Sequence, residues 1–385
     1  MTYSFDQVID RRNTYSLKWD VKDGELPMWV ADMDFQAAPE ILIEIKKRCE
    51  HGVFGYSIIP DEWYQAYMDW WKSQHNLVIK KEWLLFCHGI IPAISCIIRQ
   101  VTAPGDNIVI QTPVYNNFFP SIIKNDRKVL ESPLIYSENG YQIDFEDLEV
   151  KLADGQTTMM LLCNPQNPGG RIWNKDELTR IGALCYKHNV MVVSDEIHCD
   201  LTDPGYEYTP YTSIDEKYIQ NSISCISPTK SFNLAGLQSA AVLIPNESIH
   251  KKIERGFDTD EVAEANSFAI TAAIAAFTKG KQWLKELNQY LYENKKSALE
   301  YIKTEIPQIK VVPSHATYLL WLDCTNITKD SMYLAEMIRK KTGLILSEGS
   351  IYGENGKQFL RMNIAYSKVT LADGLKRLKE GIENI

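Results

Sequence analysis

One lysine stands out by its neighbours. Lys230 lies in Ser227-Pro228-Thr229-Lys230-Ser231-Phe232-Asn233-Leu234-Ala235-Gly236-Leu237, just after the β-like run 223–226. An amine held at a strand end can attack a carbonyl when its surroundings lower its pKa. Taken alone, Lys230 reads as a solvated loop residue, so the chemistry has to come from partners elsewhere. Asp195 opens Asp195-Glu196-Ile197-His198 after the apolar run 190–194, and a carboxylate at such a tip is either a ligand-binding group or a helix cap. Asn167 sits in Asn164-Pro165-Gln166-Asn167-Pro168-Gly169-Gly170, a rigid turn denser in proline and glycine than a plain connector needs. Tyr115 ends Thr112-Pro113-Val114-Tyr115 and offers a ring that would stack on a planar ligand or fill core. His88-Gly89-Ile90-Ile91-Pro92-Ala93 joins a strand to a helix. The free N–H groups of such a start, around Ile90 and Ile91, favour a phosphate unless the glycine is plain punctuation.

These residues need elements that bring them together. From about 80 to 245 the chain alternates strands (83–87, 107–111, 157–163, 190–194, 222–226, 238–244) with helices and long connections. The alternation predicts a parallel or mostly parallel sheet covered on both faces, with the tips at Asn167, Asp195 and Lys230 on one edge. Upstream, Trp29-Val30-Ala31-Asp32-Met33-Asp34-Phe35 is an apolar run broken by two carboxylates, expected to pack against a larger body. Residues 39–49 fit a short helix with cations in its last turn, and Gly55-Tyr56-Ser57 begins a loop. Asp61 is expected to cap a second helix whose Trp63, Tyr67, Trp70 and Trp71 make one aromatic face, either core or a partner surface. A long helix over 281–303 leads to strands near 310–312, 318–323, 344–347 and 358–365 and helices near 328–341 and 369–384. The expected class is α/β, a large domain with a mostly parallel sheet plus a smaller α/β domain from the N- and C-terminal parts. The expected divisions are 1–50 (arm and part of the small domain, including the first helix), 51–285 (large domain) and 286–385 (small domain).

At 385 residues the chain exceeds a single small core. Its net charge of -9, with 24% charged and 45% hydrophobic residues, argues against nucleic acid or an anionic membrane as partner. No apolar stretch approaches the ~18 residues of a membrane span and the start lacks a signal pattern, so a cytoplasmic location is expected. The eight cysteines are scattered, without CxxC or a neighbouring histidine cluster, which predicts reduced thiols and no metal site.

An amine, a carboxylate, an asparagine, a stacking ring and a helix start on one sheet edge together suit pyridoxal 5'-phosphate. Lys230 would form its Schiff base, Asp195 would stay ionised against the ring nitrogen, and Asn167 would bond the phenolic oxygen. The 89–92 helix start, with Ser227 or Thr229, would hold the phosphate. The same residues, with Arg361 in Arg361-Met362-Asn363-Ile364-Ala365, resemble the fold-type I pyridoxal phosphate enzymes of the aspartate aminotransferase superfamily over essentially the whole chain. Within it, residues 29–35, 89–93, 112–115 and 230–237 are similar to the MalY/PatB group of cystathionine β-lyases or C–S lyases. That resemblance implies a homodimer with a shared active site, in which a partner-subunit tyrosine, matched by Tyr56, reaches the phosphate. It also implies that Arg361 holds the substrate α-carboxylate, with Ala31 and Asn167 beside it, and that Tyr115 and Asp195 join Lys230 in catalysis.

Two positions depart from the aminotransferase pattern. Gln238 stands where many aminotransferases have a phosphate-binding arginine, which favours the lyase reading, and His198 stands where they often have a tyrosine near the ring oxygen. The expected reaction is α,β-elimination from a small amino acid, L-cystathionine or a cysteine-type substrate. Lys230 takes the Cα proton and a thiol leaves, giving pyruvate, ammonia, and homocysteine or sulfide. Return of the proton to the cofactor would instead give an aminotransferase of the same fold, and a regulatory protein keeping the cofactor as a structural element is a further alternative.

Overall fold

The computed structural model describes residues 3–383. Its centre is a seven-stranded sheet of β1 (Leu84–Cys87), β2 (Asn107–Ile110), β3 (Lys128–Glu131), β4 (Thr157–Cys163), β5 (Met191–Asp195), β6 (Ser222–Ile226) and β7 (Ala240–Leu243), in the order β1-β7-β6-β5-β4-β2-β3. β7 runs antiparallel to β1 and β6, and the remaining neighbours are parallel. The other six strands therefore share one direction. Their C-terminal ends share an edge, where open α/β sheets bind ligands. β4 to β7 are almost wholly buried, as continuous apolar runs covered on both faces must be.

Around the sheet run α1 (Pro39–His51), α2 (Asp61–His75), α3 (Ile90–Val101), α4 (Lys175–Lys187), α5 (Glu247–Thr259) and α6 (Ala269–Lys279). α6 abuts α7 (Lys281–Glu305), a 25-residue helix leading to a four-stranded antiparallel sheet. That sheet, in the order β8-β9-β11-β10, consists of β8 (Lys310–Val311), β9 (Leu319–Asp323), β10 (Ser347–Glu348) and β11 (Phe359–Asn363). Helices α8 (Ser331–Thr342) and α9 (Lys368–Ile382) pack together beside it. The N-terminal arm joins this layer, because Leu26 and Pro27 pair in parallel with Leu344 and Ile345. α1 itself packs along α6.

The structure differs from expectation at α2. Asp61 is its first helical residue rather than its cap: Pro60 holds the N-cap position and the Asp61 carboxylate pairs with Lys81 at 2.5 Å. The aromatic face of α2 is core. Trp63, Tyr67, Trp70 and Trp71 are at most 2% exposed, and three of these rings meet Phe277 of α6 at centroid distances of 4.7–5.7 Å. Burying each such ring stabilises the fold by roughly 1.5–3 kcal/mol over leaving it in water. All eight cysteines are unpaired, and every one except Cys49 is buried. Among the described residues no helix is long and apolar enough to cross a membrane.

Candidate active site

Lys230 follows β6, Asp195 ends β5, and Asn167 lies in the turn after β4. All three line one cavity of about 260 Å³. Tyr115, Ile90, Ile91, His198 and Ala31 line it too. The structure thus brings eight of the sequence-derived residues to one place. α3 begins at Gly89 without a side-chain cap, so the first-turn N–H groups of Ile90 and Ile91 have no intrahelical acceptor, and Pro92 carries no N–H.

Four other candidates sit outside the lining. Ser227 and Thr229 are buried against each other, Oγ to Oγ1 at 2.7 Å, and Ser227 also donates to the Ser239 carbonyl at 2.7 Å. Ala235 and Gln238 line the cavity on that side instead, Gln238 in a left-handed conformation with φ 54°. Arg361, on β11, reaches the large sheet from the small one: Nη1 donates to Asn167 Oδ1 at 3.1 Å and Nη2 to the Trp29 carbonyl at 2.8 Å. Tyr56 is fully exposed on the loop between α1 and α2.

The turn after β4 owes its shape to its glycines. A Cβ on Gly170, whose φ is +66°, would lie 2.5 Å from Ser314 Cβ, and one on Gly169 would lie 2.8 Å from Gln166 Oε1. The Gly170 carbonyl accepts from His315 and Ala316 N–H. That contact fixes the segment leading to Tyr318, a residue that the sequence reading missed. Tyr318 Oη donates to the Ala31 carbonyl at 2.9 Å, and Lys230 Nζ donates to the same oxygen at 2.5 Å.

Burial dominates the electrostatics. It lowers Lys230 to about 8, with Asp32 opposing the shift. It raises Asp195 to about 7, against the Ile197 N–H and the Lys230 charge, and it raises the Tyr115 hydroxyl. His198 falls to about 3 through burial and the nearby Lys230 and Arg361 charges, so its imidazole is neutral at physiological pH. Its Nδ1 and the Nε of Arg361 are buried without a partner. An amine near neutrality, a carboxylate ready to ionise and unpartnered polar atoms around one cavity suit a polar ring bearing a carbonyl and an anion.

An α/β sheet of this order with such a site defines the fold-type I class. The chain belongs to the aminotransferase class I and II family, whose profile matches residues 32–378. Among its relatives, it is 40% identical to cystathionine beta-lyase PatB of Bacillus subtilis, over 98% of this chain and 100% of that protein. It is 32% identical to protein MalY of Escherichia coli over the whole of both. Its fold superposes on cystalysin from Treponema denticola, which contains a pyridoxal 5'-phosphate cofactor, with TM-score 0.96 and 32% identity, covering all of both chains. It also superposes on the PLP-bound C-S lyase from Staphylococcus hominis, with TM-score 0.93 and 30% identity over 99% and 98% of the two chains.

Proposed function

We propose that the protein is a pyridoxal-phosphate-dependent carbon–sulfur lyase that cleaves L-cystathionine or cysteine-type amino acids by α,β-elimination. The observation that carries this reading is the meeting of Lys230, Asp195 and the uncapped start of α3 around one cavity. The relatives' activity and the neutral Gln238 favour the lyase over the aminotransferase.

In this reading Lys230 would anchor the cofactor and Asp195 would pair with its ring nitrogen. Asn167, His198 and Tyr115 would contact the ring, and the N–H groups of Ile90 and Ile91 would hold its phosphate. Ser227 and Thr229 support the phosphate side through the Ser239 loop rather than from the cavity wall. The bound cofactor supplies an electron sink for the pair left when the Cα–H bond breaks. Arg361, steered by Asn167 and the Trp29 carbonyl, receives the substrate α-carboxylate beside Ala31, a task suited to its two-pronged guanidinium. Lys230, freed once the substrate's amino group displaces it, takes the Cα proton, with an amine whose lowered pKa keeps a sizeable neutral fraction near pH 7–8. The Cβ–S bond then breaks and the sulfur leaves as a thiol. Hydrolysis of the remaining fragment yields pyruvate and ammonia.

We further propose a homodimer. Val53, Phe54, Tyr56 and Ile58 are exposed on one loop, an apolar surface that a second copy would cover while delivering Tyr56 to its neighbour's phosphate. The decisive experiment is incubation with cystathionine or cysteine without any keto acid. Pyruvate released over many turnovers supports the lyase; turnover that requires a keto acid would point to the aminotransferase.

A further inference from the structure

Residues 29–33 form a strap whose carbonyls meet the site. Trp29 O accepts from Arg361, and Ala31 O accepts from Lys230 and Tyr318. What fixes the strap lies in the N-terminal arm. Arg11 Nη2 stands 2.8 Å from Asp32 Oδ2, and its Nη1 also pairs with Asp34. Lys18, fully buried, holds Nζ 3.2 Å from Asp32 Oδ1, 3.3 Å from Asp34 Oδ1 and 3.1 Å from the Asp32 carbonyl. The same Nζ lies 4.1 Å from the Tyr366 ring centroid, and Trp19 Nε1 donates to Asp34 at 2.9 Å. Two cations and two carboxylates close a neutral cluster one residue from the carbonyl that holds the Lys230 amine. Burial pushes Asp32 upward, but hydrogen bonds from Arg11 and the charge of Lys18 outweigh it and keep the carboxylate ionised. Apolar contacts alone would fasten an arm, and buried ion clusters are a costly way to do so.

We propose that Arg11 and Lys18 are positioning residues for the elimination: by clamping Asp32 and Asp34 they set where the Ala31 carbonyl holds the Lys230 amine and how much negative charge that amine faces. The proposal rests on the reading of Lys230 as the Cα base. The charged and titratable groups around Lys230 are Asp32 and Lys18 from the arm, His88 after β1, Tyr115 after β2, Cys163 at the end of β4, Asp195 and His198 at and after the end of β5, Tyr318 ahead of β9, and Arg361 on β11. After burial, Asp32 has the largest influence on Lys230 and raises its pKa, whereas Lys18 lowers it. The signs follow. Removing the Asp32 charge makes Lys230 easier to deprotonate, and removing the Lys18 charge makes it harder.

The test is the pH profile of kcat for the cofactor-loaded enzyme, which reports groups in the substrate complex. Asp32→Asn should move the rising limb to lower pH by about 0.5 unit or more and Lys18→Met should move it to higher pH by a smaller amount, while Lys18→Arg restores the wild-type profile. The pH midpoint of the visible absorption band of the loaded, substrate-free enzyme should move in the same two directions, a readout independent of turnover. A merely structural cluster would lower kcat or stability without opposite shifts. Arg11→Gln, at a part-exposed position, removes a cation from the same cluster and gives the upward shift even where Lys18→Met does not fold. Shifts of one sign, or unmoved midpoints in folded variants, overturn the proposal. Absence of pyruvate from the wild-type enzyme would overturn the lyase reading beneath it.

Discussion

A carboxylate that burial has raised to about 7 binds a cation only after giving up its proton, and Asp195 is such a group. Its ionised form is the one that would pair with a positive ring nitrogen, so cofactor affinity should weaken as pH falls below about 7, by up to about tenfold per unit. Equilibrium titration of the cofactor between pH 5.5 and 8 by visible absorbance checks this. Asp195→Asn should bind more weakly and lose most of the slope, and an unchanged slope would count against the pairing. Lys230, Asp195 and Asn167 were legible from sequence because amine, carboxylate and amide each followed a recognisable apolar strand. Arg11, Lys18 and Tyr318 were not: the partner of Tyr318 lies 287 residues away, and those of Arg11 and Lys18 lie 21 and 16 residues away across an irregular arm where no helical or strand period reports the contact. A signal for the two cations nonetheless existed. Asp32 and Asp34 interrupt an apolar run, and carboxylates in such a run need buried counter-charges.

The turn after β4 shows how an element can be rigid for the sake of its neighbours. Gly170 combines a positive φ with backbone and side-chain atoms where a Cβ would sit, and its carbonyl anchors His315 and Ala316 ahead of Tyr318. Gly170→Ala should therefore cost at least about 2 kcal/mol, measured as a shift in denaturant midpoint, and raise KM through displacement of Asn167 and Arg361. Gly155→Ala, whose added Cβ meets nothing within 4 Å, should be close to neutral and serves as the control. At this scale the sequence was most readable where strands were continuous apolar runs with turn residues at each end. It was least readable over α5 and α6. The Ala-rich α6 is buried between α1 and α2, so it lacks the two-faced pattern that marks a surface helix. Asp61 misled for a related reason. Its carboxylate pairs with Lys81 from a neighbouring segment, a choice that helix-start chemistry alone does not reveal.

On the scale of the molecule, one hydrophobic cluster runs from α2 and α6 through α7 to the small sheet. Arg361 on that sheet donates to Asn167 in the turn after β4, so a carboxylate held there, as proposed, would couple the two layers. We take α7 as the link between a large unit over 51–285 and a small one built from 286–385 and the N-terminal arm. The same scale raises the question of Tyr56, which is exposed within one chain and absent from the wall of its own cavity. If it completes the site of a second copy, an inactive variant and an impaired one should together recover activity. Lys230→Ala removes the anchoring amine and should abolish both the visible band and pyruvate release, and Tyr56→Ala should weaken cofactor retention and activity. In a mixed dimer, the Tyr56→Ala subunit keeps Lys230 and receives Tyr56 from the Lys230→Ala subunit, which makes one intact site of two. Random exchange yields mixed dimers in half of the population, so activity should return to about a quarter of wild type. The mixture is made by unfolding and refolding the two variants together and is measured against each refolded alone. Recovery that depends on mixing requires a shared site, whereas activity equal to the average of the separate variants would confine Tyr56 to its own chain.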